Sequence, residues 1–185
     1  ASGDTIGTVQ SQGSAYVFVR AGTTWSQQQK LTASDGAMGG AFGYSLSLSG
    51  DTALVGAMGD LSAKGAAYVF TRSGTTWSQQ QKLTAADGAA SDWFGAAVSV
   101  AGDTAFVAAY GDDVGANENQ GAVYVFTRSG TTWSQQQKLV ASNGATNDFF
   151  GRSVGLVGDT AAIGAYVDDV GANQDQGSVY IFARS

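Results

Sequence analysis

Residues 42–83 read FGYSLSLSGDTALVGAMGDLSAKGAAYVFTRSGTTWSQQQKL and contain four short segments of β-type sequence. We name them the Phe-Gly strand (FGYSLSLSG), the GDT strand (DTALVGA), the Tyr-Phe strand (AAYVFTR) and the Trp strand (TTWSQQQKL). In the first, Phe42, Tyr44, Leu46 and Leu48 alternate with small residues at a period of two. Short glycine turns at 49–51 and 72–75 join neighbouring segments. The stretch therefore predicts a four-stranded antiparallel unit.

This unit repeats along the chain. TTWSQQQKL occurs three times, Phe-Gly three times, and both GDT and Tyr-Val/Ile-Phe four times, the first GDT starting at Gly3. We interpret 1–185 as a single repeat domain with repeats at approximately 1–38, 39–90, 91–146 and 147–185, of which the first and last are partial. No segment has a 3.6-residue period, so we expect almost no helix.

A four-strand unit that recurs at spacings of 52 and 56 residues is typical of a propeller blade. One blade cannot bury both of its faces, so neighbouring blades must stack. A β-sandwich or a solenoid is the alternative, but an intact four-strand repeat is hard to place in a sandwich. We predict an all-β protein, a β-propeller built of four-stranded antiparallel blades, with about four partly incomplete blades per chain.

The order Phe-Gly, GDTALVGA and GxxYVF resembles the FG-GAP repeat of integrin-α-like β-propellers, and TTWSQQQKLTASDGA is similar to its bacterial form. The resemblance covers nearly the whole chain and implies a propeller for recognition or cell adhesion. Two features depart from it. Met58, Tyr110 and Tyr166 stand in place of the GAP proline, and the aspartate-rich calcium loop between the first two strands of a blade is missing. That calcium site is therefore not carried over.

Composition excludes several function classes. The chain of 185 residues has a net charge of −6 and contains no Cys and no His. It therefore has no disulfide, zinc–thiolate site or Ser-His-Asp triad. The acidic balance argues against nucleic acid, and no apolar stretch approaches the length of a membrane span. Glycoside hydrolysis needs two facing carboxyls about 5–9 Å apart, which adjacent Asp112 and Asp113 do not offer. We predict that the protein is not an enzyme.

The long loops before the Tyr-Phe strands carry much of the acidic charge. The segment DDVGANENQG at 112–121 recurs as DDVGANQDQG at 168–177. Such loops offer the carboxylate, amide and carbonyl oxygens that Ca²⁺ prefers, although Asp pairs are also ordinary turn formers in solvated loops. Both interpretations stay open. The candidate metal ligands are Asp112, Asp113, Asn117, Asn119, Asp168, Asp169, Asn173 and Asp175.

The loop before each Phe-Gly strand places acids beside aromatic rings. Asp92 and Trp93 in one repeat correspond to Asp148 and Phe149 in the next. Rings stack on the apolar faces of sugars while acids bind hydroxyls, so these four residues are candidate carbohydrate ligands, as in the fungal integrin-like lectins that this plan resembles. The alternative is that the rings only anchor the loop. We expect Trp25, Trp77 and Trp133 to pack between blades, with Trp25, Gln27, Gln29 and Leu31 on one strand face.

Counting one strand for each motif gives fourteen strands, so the first and last blades are incomplete and expose edges that favour association. Two chains would supply the twenty-eight strands of seven blades, and we predict a homodimer that completes a ring; a fragment of a longer propeller is the alternative. A propeller for recognition or adhesion is the leading functional hypothesis, and calcium binding in the long loops is an optional part of it. A lectin or an engineered scaffold without a ligand is the alternative. The few charges and the absence of Cys suggest an extracellular or periplasmic protein.

Overall fold

The computed structural model describes residues 1–184 and is almost entirely β-structure, as the sequence predicts. No helix in this range is long and apolar enough to cross a membrane. The helical segment α1 covers Asp60–Ala63. The strands are β1 (Ala15–Ala21), β2 (Thr24–Leu31), β3 (Ser45–Ser49), β4 (Thr52–Ala57), β5 (Ala66–Ser73), β6 (Thr76–Leu83), β7 (Ala97–Ala101), β8 (Thr104–Ala109), β9 (Ala122–Ser129), β10 (Thr132–Leu139), β11 (Phe150–Val157), β12 (Thr160–Ala165) and β13 (Ser178–Ala183).

The strands form four antiparallel sheets in chain order, and each sheet is one propeller blade. Sheet 2 has the order β3-β4-β5-β6, and sheet 3 repeats it with β7 to β10. Sheet 1 contains only β1 and β2, while sheet 4 contains β11, β12 and β13. The predicted order of Phe-Gly, GDT, Tyr-Phe and Trp strands is therefore confirmed in the two complete blades. Within residues 1–184 one face of sheet 1 and one face of sheet 4 stay exposed, with Trp25 at 64% on the first and Ile181 at 66% on the second, so the ring of blades is open.

The first Gly-Asp-Thr sequence is not a GDT strand, so the prediction of fourteen strands was wrong and the described chain has thirteen. Gly3 and Asp4 begin the long loop before β1, where the Asp4 carboxylate accepts hydrogen bonds from Ser14 and Tyr16. The motif resembles Gly111-Asp112 of the later loop rather than the turn at Gly102-Asp103. Because Gly-Asp occurs both at the tight turns and at the start of the long loops, the sequence alone did not distinguish the two positions. The correction moves Asp4 to the long-loop end of the blades, which becomes still more acidic.

The hydrophobic core consists of the layers between successive sheets. Trp77 packs on sheet 1 and Trp133 on sheet 2, and both are 3% exposed, as predicted. Trp25 is 64% exposed, so the prediction was wrong for this residue. A Trp strand directs its indole at the preceding sheet, and sheet 1 has no preceding sheet among residues 1–184.

The glutamines of the Trp strands join neighbouring sheets. The side-chain amide of Gln29 donates to the carbonyl of Trp77 and accepts from its N–H, both at 2.8 Å, and Gln81 makes the same pair of bonds with Trp133. A β-bulge at the middle glutamine lets Gln28 accept from the Trp77 indole N–H at 3.1 Å. This bulge breaks the alternation, so Trp25 and Leu31 do not share a face. The glutamine runs therefore join neighbouring blades through their side-chain amides.

Glycine before each Tyr-Phe strand allows two sheets to approach. Gly65 has φ +87° and forms a parallel β-bridge with Phe94 of the next blade. A Cβ atom at Gly65 would lie 2.0 Å from the Phe94 carbonyl oxygen. The long-loop end of one blade is thereby held against the start of the next, and this contact positions the loops described below.

Candidate functional site

Each of the two complete blades carries a buried cluster of Asp, Tyr and Lys at its long-loop end, which we call the Asp-Tyr-Lys cluster. In sheet 3, the Tyr124 hydroxyl donates to Asp112, while the Lys138 ammonium lies 2.9 Å from Asp112 and 2.7 Å from Asp87. Tyr124 also lies 2.8 Å from an Asp87 oxygen. Sheet 2 repeats the arrangement with Asp60, Tyr68, Lys82 and Asp35. The cluster ties a long loop, two strands and the loop of the preceding repeat together.

The electrostatics of the cluster fit a structural role. Burial and the hydrogen bond to Asp112 raise the pKa of Tyr124, so its hydroxyl stays neutral. Burial opposes the charge on Lys138, but hydrogen bonds to Asp87 and Asp112 outweigh burial and raise its pKa. Burial likewise opposes the charge on Asp87, yet Lys138 and Tyr124 lower its pKa. These shifts hold Tyr124, Lys138 and Asp87 in one protonation state near neutral pH, which does not suit acid–base catalysis.

The candidate calcium ligands are engaged in hydrogen bonds within their loops. Asp112 and Asp168 are buried and accept from Tyr124 and Tyr180. Asp113 and Asp169 are exposed and accept from the backbone N–H groups of Asn119 and Asp175, each at 2.8 Å.

The amides of these loops are engaged in the same way. Asn117 and Asn173 donate to Gln120 and Gln176, each at 2.9 Å, and Asn119 donates to Asn147 at 2.9 Å. Across residues 1–184 no three acidic side chains form a group that could hold a metal ion. The calcium site stays a prediction.

The four candidate sugar ligands do not share one surface, because the two acids are buried and the two rings are half-exposed. Asp92 and Asp148 are buried, and their carboxylates accept from the backbone N–H groups of Ala89 and Ala145 at 2.6 and 2.5 Å. Burial raises the pKa of both carboxyls. Asp92 and Asp148 therefore close their loops from the inside, whereas Trp93 and Phe149 remain half-exposed at the surface.

Four rings from two neighbouring blades form a continuous band, which we call the aromatic row. Ring centroids are 5.1 Å apart for Trp93 and Tyr110, 6.0 Å for Tyr110 and Phe149, and 5.7 Å for Phe149 and Tyr166. The exposed guanidinium of Arg152 lies 5.2 Å from the centroid of Tyr110 and 5.9 Å from that of Tyr166. These distances are typical of aromatic and cation–π contacts. The row is thus a half-exposed aromatic surface with one fixed cation.

Two members of the row have unusual backbone conformations. Trp93 has φ +56° and Phe149 has φ +52°, in the left-handed region that bulky residues rarely adopt. Each such residue costs about 1 kcal/mol or more. Gly111 makes room for the first ring, since a Cβ atom there would lie 2.6 Å from the Trp93 ring. Ala41, at the corresponding position of the first repeat, has φ +55°, so the conformation belongs to this loop in all three repeats and two of them place a bulky ring in it.

Sequence reasoning found Trp93 and Phe149 but missed Tyr110, Tyr166 and Arg152 as members of the same surface. A signal was present, because Tyr110 and Tyr166 occupy the position of the GAP proline in consecutive repeats. Each tyrosine contacts the ring of the other loop in its own blade, and Tyr110 also contacts Phe149 of the neighbouring blade, which depends on how the blades stack.

Comparison with known proteins agrees with the repeat structure. A family model described as FG-GAP repeat matches residues 25–70, 77–126 and 133–182, which together cover most of the chain. Each match begins at a tryptophan of the Trp strand and ends near the Tyr-Phe strand of the following blade. No curated protein sequence matches the chain significantly.

Proposed function

Because the chain belongs to the FG-GAP repeat family, we propose that it is a non-catalytic propeller module for recognition or adhesion and that the aromatic row is its binding surface. The observation that carries this proposal is the half-exposed, partly strained line of Trp93, Tyr110, Phe149 and Tyr166. The acidic side chains nearby are turned inward, so the surface itself offers rings and Arg152.

Carbohydrate is the ligand class that this surface favours. The C–H faces of a sugar stack on aromatic rings, and polar groups beside the rings fix its hydroxyls. Arg152 and Asn147 are exposed beside the row and supply such groups. Burial raises the pKa of Tyr110, so its hydroxyl remains a hydrogen-bond donor at neutral pH. The buried acids Asp92 and Asp148 support the loops and do not touch the sugar in this proposal.

The test is a glycan array followed by solution calorimetry with any sugar that binds. We expect Trp93→Ala and Tyr166→Ala each to weaken binding at least tenfold. Met38→Ala is the matched control, because Met38 is an exposed apolar residue in the corresponding loop of the first repeat. Unchanged affinity in both row variants would remove the aromatic row as the site. A silent array would reject carbohydrate and favour a protein ligand or a scaffold without a ligand.

Calcium assistance is a narrower proposal, supported by the acidity of the long-loop end. Asp113 and Asp169 are the exposed acids of the two repeated loops, whereas Asp112 and Asp168 already have buried partners. Thermal melting with Ca²⁺ and with chelator should differ in the wild type and coincide in a variant with Asp113→Asn and Asp169→Asn. Coincident wild-type curves would reject calcium binding.

We also propose an extracellular or periplasmic location. The family membership and the absence of Cys from the sequence support it. Fractionation of cells that express the native gene tests this directly, and a cytoplasmic pool alone would contradict it.

A further inference from the structure

A cavity of about 320 Å³ lies between sheet 3 and sheet 4. Apolar side chains of both sheets line it, and Gln136, Gln137 and Arg184 lie at its rim. The apolar lining includes Phe106, Val125, Leu139, Leu156, Ala161 and Phe182. At the same position between sheets 1 and 2 and between sheets 2 and 3, the indoles of Trp77 and Trp133 fill the space. The cavity is therefore the third copy of a tryptophan slot.

The rim of this cavity repeats the hydrogen-bonding groups of the two filled slots. Gln28 and Gln29 bind the indole N–H and the backbone of Trp77. Gln136 and Gln137 occupy the corresponding positions of β10 and have no such tryptophan partner among residues 1–184. Arg184 corresponds to Arg72, whose guanidinium lies 5.4 Å from the Trp77 ring centroid. The slot is thus prepared for a Trp strand that sheet 4 lacks within the described residues.

The other end of the same chain exposes such a strand. The segment Thr24–Leu31 has the sequence TWSQQQKL, identical to β6 and β10. Trp25, Phe18 and Tyr16 are 64%, 51% and 38% exposed, whereas Trp77, Phe70 and Tyr68 are at most 4% exposed. These rings form the face that packs on a preceding sheet in the complete blades.

We propose that a second copy of this chain inserts Trp25 into the slot, so that sheet 4 of one copy and sheet 1 of the other form one composite blade. In this blade, β11 and β12 come from the first copy, and β1 and β2 come from the second. The strands β13 and β1 compete for one position because both are Tyr-Phe strands. β1 takes the position because it brings its partner β2, and β13 is displaced. Phe18 and Arg20 of the second copy then replace Phe182 and Arg184 at the slot, and Arg20 pairs with Trp25 as Arg72 pairs with Trp77.

Two further surfaces agree with the composite blade. Leu46 and Leu48 are 57% and 64% exposed because sheet 1 has no β3- or β4-like strand, and β11 and β12 of the other copy would cover them. Gly164 of β12 lines a second cavity of about 350 Å³. The corresponding Gly56 lies against the backbone of Gly95, so this cavity would receive Gly43 of the second copy.

In this arrangement, two copies of the described residues supply enough blades for a closed ring. Each copy has two complete sheets, and two junctions add two composite blades, so a dimer has six four-stranded blades. Closed propellers typically have four to eight blades. A ring of three copies would have nine, outside this range. The inference thus replaces the seven-bladed dimer that the sequence suggested.

Sedimentation of the full chain tests the proposal. We expect a dimer of the 18.8 kDa chain that Trp25→Ala converts to monomer, whereas Trp93→Ala, outside the junction, leaves it dimeric. The peptide GTTWSQQQKL should compete and release monomer, and the same peptide with Trp replaced by Ala should not. A monomer, an open series of larger species, or a dimer that survives Trp25→Ala would overturn the inference.

Cross-linking tests the strand exchange itself, because the chain has no Cys. In sheet 4, Thr160 of β12 pairs with Ala183, and Val19 of β1 corresponds to Ala183. A chain carrying Thr160→Cys and Val19→Cys should form a covalent dimer on oxidation, and neither single variant should form one in comparable yield. Failure of the double variant to cross-link while it sediments as a dimer would refute the composite blade.

Discussion

The side-chain bridge from Gln81 to Trp133 should contribute measurably to the stability of the propeller. Gln81 makes two hydrogen bonds of 2.8 Å to the backbone of Trp133, whose side chain is buried between sheets 2 and 3. Each hydrogen bond contributes about 1 kcal/mol net, and Gln81→Ala removes both at a half-buried position. We therefore expect a loss of about 2 kcal/mol in the free energy of unfolding. For a chain of this size, that corresponds to a decrease of roughly 4–8 °C in Tm.

The chain contains its own control for this prediction. Gln137 occupies the same position in β10 but has no tryptophan partner within residues 1–184. Urea unfolding followed by tryptophan fluorescence should show little change for Gln137→Ala and a lower midpoint for Gln81→Ala. Both variants should carry Trp25→Ala, so that association does not contribute. Equal urea midpoints for the two variants would refute the conclusion that the glutamine bonds stabilise the contact between blades.

Three further predictions concern single positions. Gly65→Ala should lower the free energy of unfolding by more than about 3 kcal/mol, because the new Cβ atom would collide with the Phe94 carbonyl oxygen and the residue has positive φ. Gly155→Ala is the control. A Cβ atom at Gly155 would have no atom within 4 Å, so this variant should be nearly neutral in the same urea assay. Burial raises the pKa of Asp92, so the stability that its protonated form contributes is lost as pH rises through that pKa. The free energy of unfolding of Asp92→Asn should therefore increase relative to that of wild type as pH rises from 3 to 7. A difference that does not change with pH would contradict this. Burial opposes the charge on Asp87, but its hydrogen bonds to Lys138 and Tyr124 prevail and lower its pKa. Asp87→Asn should therefore cost at most about 1 kcal/mol at pH 7 and less at pH 3, and an equal cost in thermal melts at the two pH values would contradict this.

Part of the candidate site followed from the sequence. Trp93 and Phe149 were found because aromatic residues recur beside Asp at one loop position, a pattern visible in a single chain. Their partners Tyr110 and Tyr166 come from another loop of the same blade, and the stacking of blades adds the contact of Tyr110 with Phe149 that joins the two pairs. The acids were placed in the correct loops, yet their hydrogen bonds to backbone and Tyr hydroxyls depend on loop conformations set by tertiary contacts.

The sequence by itself determined the strand order, the blade and its repetition, because alternation at a period of two and glycine turns act over a few residues and recur intact. Tertiary structure decided the remainder. The sequence Gly-Asp-Thr is identical at residues 3–5 and 102–104, but the two copies lie in different places. Asp4 accepts a hydrogen bond from Tyr16 in a long loop, whereas Asp103 accepts one from Arg128 at a tight turn. Trp25 and Trp77 lie in identical strands, but one is exposed and the other buried, because burial depends on whether a neighbouring sheet is present. Local patterns fix each blade, whereas the burial of each blade face depends on which sheets pack against it.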